Sequence, residues 1–199
     1  MSVSSEEGTP TEATRPAEAP VLHRRTRFID AWVPKHAIGA EIGVHKGQFS
    51  RELLQVAQPS CLHLIDPWFM LGKEWKWAQG DRSTIAALTG ILKRFENELV
   101  AGSVRLHIGF SWDVLAGFPD AYFDWVYLDS SHAYEHTLRE LAVLARKVKP
   151  EGIITGDDWR PDAHPGLIRA VRDFVAREPF DLLHASENQD LQWAIRHRR

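Results

Sequence analysis

The sequence predicts an α/β fold: a doubly wound, mostly parallel sheet covered on both faces by helices and finished by an antiparallel strand pair. Three observations carry that prediction. From residue 38 onward, short apolar runs alternate with longer stretches whose apolar residues recur at helical spacing. The runs end in glycines or carboxylates, the residues an open parallel sheet gathers at its carboxyl rim. The last two runs, "FDLLHASENQ" and "LQWAIRHR", follow one another with no helical pattern between them.

The elements follow in order. "MSVSSEEGTPTEATRPAEAP" (residues 1–20) is rich in Ser, Thr, Glu, Ala and Pro, cannot bury enough surface to offset its ordering entropy, and is expected to be a disordered tail before a single domain over 21–199. "HRRTRFIDAWV" places Phe28, Ile29 and Trp32 at helical spacing and stops before Pro34. "AIGAEIGV" is the first strand, and "GQFSRELLQVA" a helix with Phe49, Leu53 and Ala57 on one face. "CLHLID" is the second strand. An aromatic loop follows, then a helix over 82–99. "SVRLHIG" is the third strand, "SWDVLAGF" a short helix and "FDWVYLD" the fourth strand. "HAYEHTLRELAVLARKV" is a helix with Leu138, Leu141, Ala145 and Val148 facing inward and basic residues at its C-terminal end, where the helix dipole favours them. "GIITGDD" is the fifth strand and "HPGLIRAVRDFVARE" the last helix.

Composition narrows the function. A net charge of −3 from 24 basic and 27 acidic residues provides no field for a nucleic-acid backbone. The single cysteine, Cys61, precludes an internal disulfide, suits a reducing compartment, and is expected as a small buried residue just before a strand. No apolar run resembles a secretory signal or a membrane span, so a cytoplasmic protein that engages neither membrane nor nucleic acid is expected, with its oligomeric state open.

In a fold of this kind ligands sit beyond the carboxyl ends of the strands, near the reversal of strand order. Those ends are Glu41-Ile42-Gly43, Asp66, Gly109 to Ser111, Asp129 and Asp157-Asp158. "EIGVHKG" sets Gly43 and Gly47 between a strand and a helix, where the backbone must turn sharply and admit a ligand closely. The full G-x-G-x-x-G pyrophosphate cradle is missing, which disfavours a dinucleotide. Asp66, 19 residues after Gly47 at a strand end, suits the two hydroxyls of a ribose. A nucleoside without a pyrophosphate satisfies both facts.

From about Ile38 to Trp193 the chain resembles class I S-adenosylmethionine-dependent methyltransferases, which have a Rossmann-like sheet, and within them a small bacterial family. The resemblance rests on "YLDSSHAYEHTLRELAVLARKVKPEGIITGDDW": an aspartate, two residues, a histidine, a helix closing near Lys-Pro, and a strand ending in an acidic pair. It implies that Glu41, Gly43 and Gly47 surround the methionine part of S-adenosylmethionine, with Asp129 also at the cofactor. It further implies Asp66 at the ribose and Ser111 with Trp112 at the adenine. Two departures stand out: Glu151 where a glycine is usual, altering a turn, and serines in "DSSH" where a second acid is common.

Asp129, Asp157 and Asp158, brought to adjoining strand ends, need positive charge, because unit charges about 4 Å apart repel by roughly 4 kcal/mol at an effective dielectric near 20. Oxygen-only ligands favour Mg²⁺, and the resemblance extends to catechol-type and antibiotic-sugar O-methyltransferases, in which carboxylates or an amide at the ends of strands four and five hold such an ion. The alternative is that Asp158 caps a turn or pairs with Arg160. His132, three residues after Asp129, is the first candidate for the base that takes a proton from the acceptor, and the two form the expected catalytic pair. His136 reads as a solvated helix residue or a substrate contact. Trp68, Phe69, Trp75 and Trp77 form either an acceptor wall or the packing of their own loop. The reading is therefore O-methylation of a small-molecule hydroxyl. The alternatives are a nicotinamide-dependent oxidoreductase and a non-catalytic nucleoside binder.

Overall fold

The computed structural model describes residues 24–70 and 83–199. The expected tail over 1–20, Trp75 and Trp77 lie outside the described residues. Among those described, the chain runs α1 (Arg24–Trp32), β1 (Ile38–Ile42), α2 (Gln48–Val56), β2 (Cys61–Asp66), α3 (Ser83–Arg94), α4 (Glu96–Ala101) and β3 (Val104–Ile108). It continues α5 (Ser111–Ala116), β4 (Phe123–Leu128), α6 (Tyr134–Lys147), β5 (Val148–Gly156), α7 (Pro165–Arg177), β6 (Phe180–Ala185) and β7 (Trp193–His197). The strands form one sheet in the order β3-β2-β1-β4-β5-β7-β6. β1 to β5 are parallel, and β7 runs antiparallel to both β5 and β6. The order reverses between β1 and β4, so their carboxyl ends open the crevice in which such folds bind ligands.

Alternation along the strands makes two cores. In β4, Val126 and Leu128 point to one face and join Leu141, Leu144, Ile168 and Val171 of α6 and α7. Trp125 and Tyr127 point to the other and meet Phe28 and Ile29 of α1, Phe49 and Leu53 of α2, and Ile91 of α3. Helices on both faces follow from the right-handed crossovers of parallel strands. No described helix is long and apolar enough to cross a membrane.

Four local expectations are corrected. The helix predicted over 82–99 is two helices, broken at Phe95, whose ring is buried in the core. β5 starts at Val148, so Lys149 to Gly152 lie inside the strand and not in a turn; the pairing jumps from Phe123↔Val148 to Trp125↔Ile153, and the extra residues bulge. The same strand ends at Gly156, ahead of both acids. Cys61 opens β2 half-buried, its Sγ 3.5 Å from His63 Nε2, and is not a sealed apolar residue.

Candidate functional site

The turn after β1 is built around glycine. Gly43 has φ 87°, and a Cβ there would lie 2.1 Å from the carbonyl oxygen of Asp129, so β1 and β4 touch backbone to backbone at the switch point. Gly47, at φ 66°, starts α2. Asp66, at the end of β2, braces this turn from the side: its Oδ2 accepts the N–H groups of Val44 and His45, each at 2.9 Å. Trp68 donates its indole N–H to the His45 carbonyl at 2.8 Å. Burial pushes the Asp66 carboxyl up to about 6, against the pull of the two backbone N–H groups. Its Oδ1 accepts no hydrogen bond from any described residue, which leaves one oxygen for a ligand hydroxyl. Glu41 is buried and accepts the Ser50 hydroxyl; burial raises its carboxyl to about 8.

Beyond β3, Ser111 donates to Glu140, which also accepts Ser130. The Ser111 side chain is thus committed to α6. Trp112 stacks on Phe110 at 5.0 Å with an interplanar angle of 7°, carries the Arg139 guanidinium 4.4 Å over its ring, and has His136 beside it at 5.4 Å. His136 is exposed, as a solvated helix residue should be. Of the aromatic segment, Trp68 is core packing, whereas Phe69 is half exposed and meets Phe110 edge-on at 5.4 Å.

The carboxylates at the ends of β4 and β5 do converge. Oxygens of Asp129, Asp157 and Asp158 lie within 4.8 Å of one another. Two successive residues of an extended strand would point to opposite faces; here the strand has ended and Asp158 adopts φ 61°, a left-handed conformation that brings its carboxylate back to the others. The positive charge that Asp129 and Asp157 require comes from α1. Arg25 reaches Asp129 Oδ2 at 2.7 Å and Asp157 Oδ2 at 3.1 Å, donates its Nε–H to the Tyr127 hydroxyl at 3.1 Å, and lies 3.9 Å over the Phe49 ring. Tyr127 donates to Gln192, whose amide donates to Asp157 and closes the network. Burial works against the Arg25 charge, but Tyr127 and the two carboxylates outweigh it and hold the guanidinium well above its usual range. Burial likewise raises Asp129 to about 7, with Arg25 pulling the other way.

Asp158 stands apart from this clamp. Its Oδ1 is 3.2 Å from Arg160, the pairing foreseen as an alternative, and its Oδ2 is 3.2 Å from His132 Nε2 and 3.5 Å from His164 Nε2. The two imidazoles face each other at 4.2 Å. His132 is 3.9 Å from Asp129 Oδ1; burial lowers its pKa, Asp158 opposes that shift, and His164 adds to it. Sequence reasoning missed Arg25, Tyr127, Gln192 and His164. The demand for a cation beside three carboxylates was a signal for Arg25, but nothing in "HRRTRF" distinguishes one arginine from its neighbours.

A crevice at a switch point, a glycine turn braced by a strand-end aspartate, and no pyrophosphate cradle are the features of a class I methyltransferase. Residues 40–159 match the family described as Methyltransferase domain, and with more than half of the 199 residues matched, the chain belongs to that family of S-adenosylmethionine-dependent enzymes. Among solved structures it is similar to the O-methyltransferase NovP, at 21% identity and a TM-score of 0.63 over 88% of this chain and 80% of that one. It is also similar to the SAH-bound Podospora anserina methyltransferase PaMTH1, at 13% identity and a TM-score of 0.63 over 87% and 76% of the two chains. A ribosomal protein L11 methylase from Lactobacillus delbrueckii subsp. bulgaricus aligns at 15% identity and a TM-score of 0.59 over 88% and 77%. No curated protein matches the sequence. Family membership sets aside the nicotinamide-dependent oxidoreductase.

Proposed function

We propose that this methyltransferase acts on a hydroxyl of a small molecule, with His132 as the base. The observation that carries the reading is His132 Nε2: it is shut from solvent, makes no hydrogen bond to any described residue, and lies 3.2 Å from Asp158 Oδ2. A buried imidazole nitrogen without a partner at the rim of the crevice is poised to take a proton, and burial keeps it neutral until it does. Asp158 then stabilises the imidazolium formed.

S-adenosylmethionine supplies an electrophilic methyl on a sulfonium, which the acceptor oxygen attacks in line as the neutral thioether leaves. The chain's part is alignment and charge placement. Asp66 Oδ1 is available to the ribose hydroxyls; Glu41, Gly43 and Gly47 border the methionine part, and Asp129 lies across from Gly43. The Phe69–Phe110–Trp112 group supports an adenine face and an apolar acceptor wall. Mg²⁺ fits this site less well than expected. The three carboxylates have the right spacing, but Arg25 lies on two of them and already meets their charge, so no step is assigned to that ion.

Calorimetry with S-adenosylhomocysteine, followed by a methyl-transfer assay over hydroxylated small molecules, tests the reading. His132→Ala is expected to lower turnover by roughly 10²- to 10⁴-fold while S-adenosylhomocysteine still binds. Unchanged turnover removes His132 from the mechanism, and transfer only to a nitrogen or carbon acceptor overturns O-methylation.

A further inference from the structure

We propose that His132, Asp158 and His164 form a binding site for a divalent transition-metal ion of the Zn²⁺ type, which shares only Asp158 with the oxygen-only triad. The three ligand atoms, two imidazole nitrogens and one carboxylate oxygen, lie within 4.8 Å of one another. Asp158 Oδ2 is 3.2 Å from His132 Nε2 and 3.5 Å from His164 Nε2. Bonds of about 2.0–2.1 Å in a tetrahedral site put neighbouring ligand atoms about 3.3 Å apart, so these separations already match the edges of the polyhedron.

Two further features separate this arrangement from an ordinary histidine–aspartate hydrogen bond. Although His132 Nε2 is at hydrogen-bond distance from the carboxylate, it makes no hydrogen bond with it or with any other described residue. A buried imidazole nitrogen left in that state is unfavourable unless something else satisfies it. Asp158 also holds φ 61°, a conformation uncommon outside glycine, and that turn carries its carboxylate to the histidines. Imidazole nitrogens with one carboxylate suit Zn²⁺ and its neighbours, whereas Mg²⁺ prefers oxygen alone. Charge points the same way: Arg25 neutralises Asp129 and Asp157 but not Asp158. The competitor is Arg160, whose guanidinium is 3.2 Å from Asp158 Oδ1 and 3.5 Å from His164 Nε2, with its side chain 43% exposed.

This site does not depend on the chain's acceptor. Where the base role of His132 also holds, the two exclude each other at the same nitrogen, and an ion seated there blocks proton transfer. The test uses Co²⁺ as a coloured stand-in for Zn²⁺ with the full chain. Wild type is expected to give the intense visible absorption of a tetrahedral site with nitrogen ligands, displaced by Zn²⁺. His164→Ala and His164→Gln should weaken the ion at least tenfold, with S-adenosylhomocysteine binding kept as the sign of an intact fold, and Asp157→Asn should leave its affinity unchanged. A weak octahedral spectrum in wild type overturns the proposal, as does loss of the ion in Asp157→Asn but not in the His164 variants, which would place it on the oxygen triad.

Discussion

The two sides of the crevice neutralise their buried carboxylates by different means. On the β1–β2 side, Asp66 is met by backbone N–H groups of Val44 and His45, only 22 and 21 residues away in sequence. On the β4–β5 side, Asp129 is met by a guanidinium 104 residues away, on a helix that precedes the whole sheet. The first device is local and belongs to the turn itself; the second exists only when the entire domain is assembled. The difference separates a brace built within one turn from a clamp built across the whole domain.

The contact between the two sides is the place to break this arrangement. Gly43→Ala forces a Cβ to within 2.1 Å of the Asp129 carbonyl at a backbone angle that disfavours side chains, and is expected to cost on the order of 3–5 kcal/mol. Denaturant unfolding measures it; a loss under 1 kcal/mol would mean that β1 and β4 move apart freely. Removing the cation on one side alone is a smaller perturbation. Arg25→Met leaves Asp129 and Asp157 uncompensated, and because those side chains are 23% and 15% exposed, the expected loss is about 2 kcal/mol, below the full cost of breaking a sealed pair. Arg25→Lys should recover part of it, and Asp66-side ligand binding should suffer less than the stability does.

A further test is a dependence on pH. Glu41 and Glu140 are raised by burial to about 8 and about 7, so the folded protein keeps protons that the unfolded chain has released above its ordinary carboxylate range. Their contribution is fully favourable below about pH 4, is lost as pH rises through the folded values, and is gone by about pH 8. Above about pH 6.5, where the buried histidines are neutral in both states, thermal melts should therefore fall towards pH 8, and Glu41→Gln should flatten that slope. A slope unchanged by Glu41→Gln would show that the carboxyl is not the group responsible.

How much of this was legible in the sequence follows the same division. The alternation of strands and helices is written in local periodicity, and Asp66 could be singled out because its strand end and its distance from the glycines are both read along the chain. Asp129, Asp157 and Asp158 were legible as neighbours in space because the fold fixes where strands end. Their partner was not: a carboxylate cluster states that a positive charge is required but not whether an ion or a side chain delivers it. The left-handed turn at Asp158 had no signal either, since aspartate is compatible with several backbone conformations. His164 reads only as the start of the last helix, ahead of Pro165, and only tertiary packing faces it to His132.

That the guanidinium comes from the first described helix has a consequence for synthesis. Arg25 leaves the ribosome more than a hundred residues ahead of Asp129 and further still ahead of Asp157. The nascent chain can close its glycine turn early, but the rim stays electrostatically open until the fifth strand and Gln192 beyond it have been made and docked, so the β4–β5 end of the crevice is the last part of it to mature.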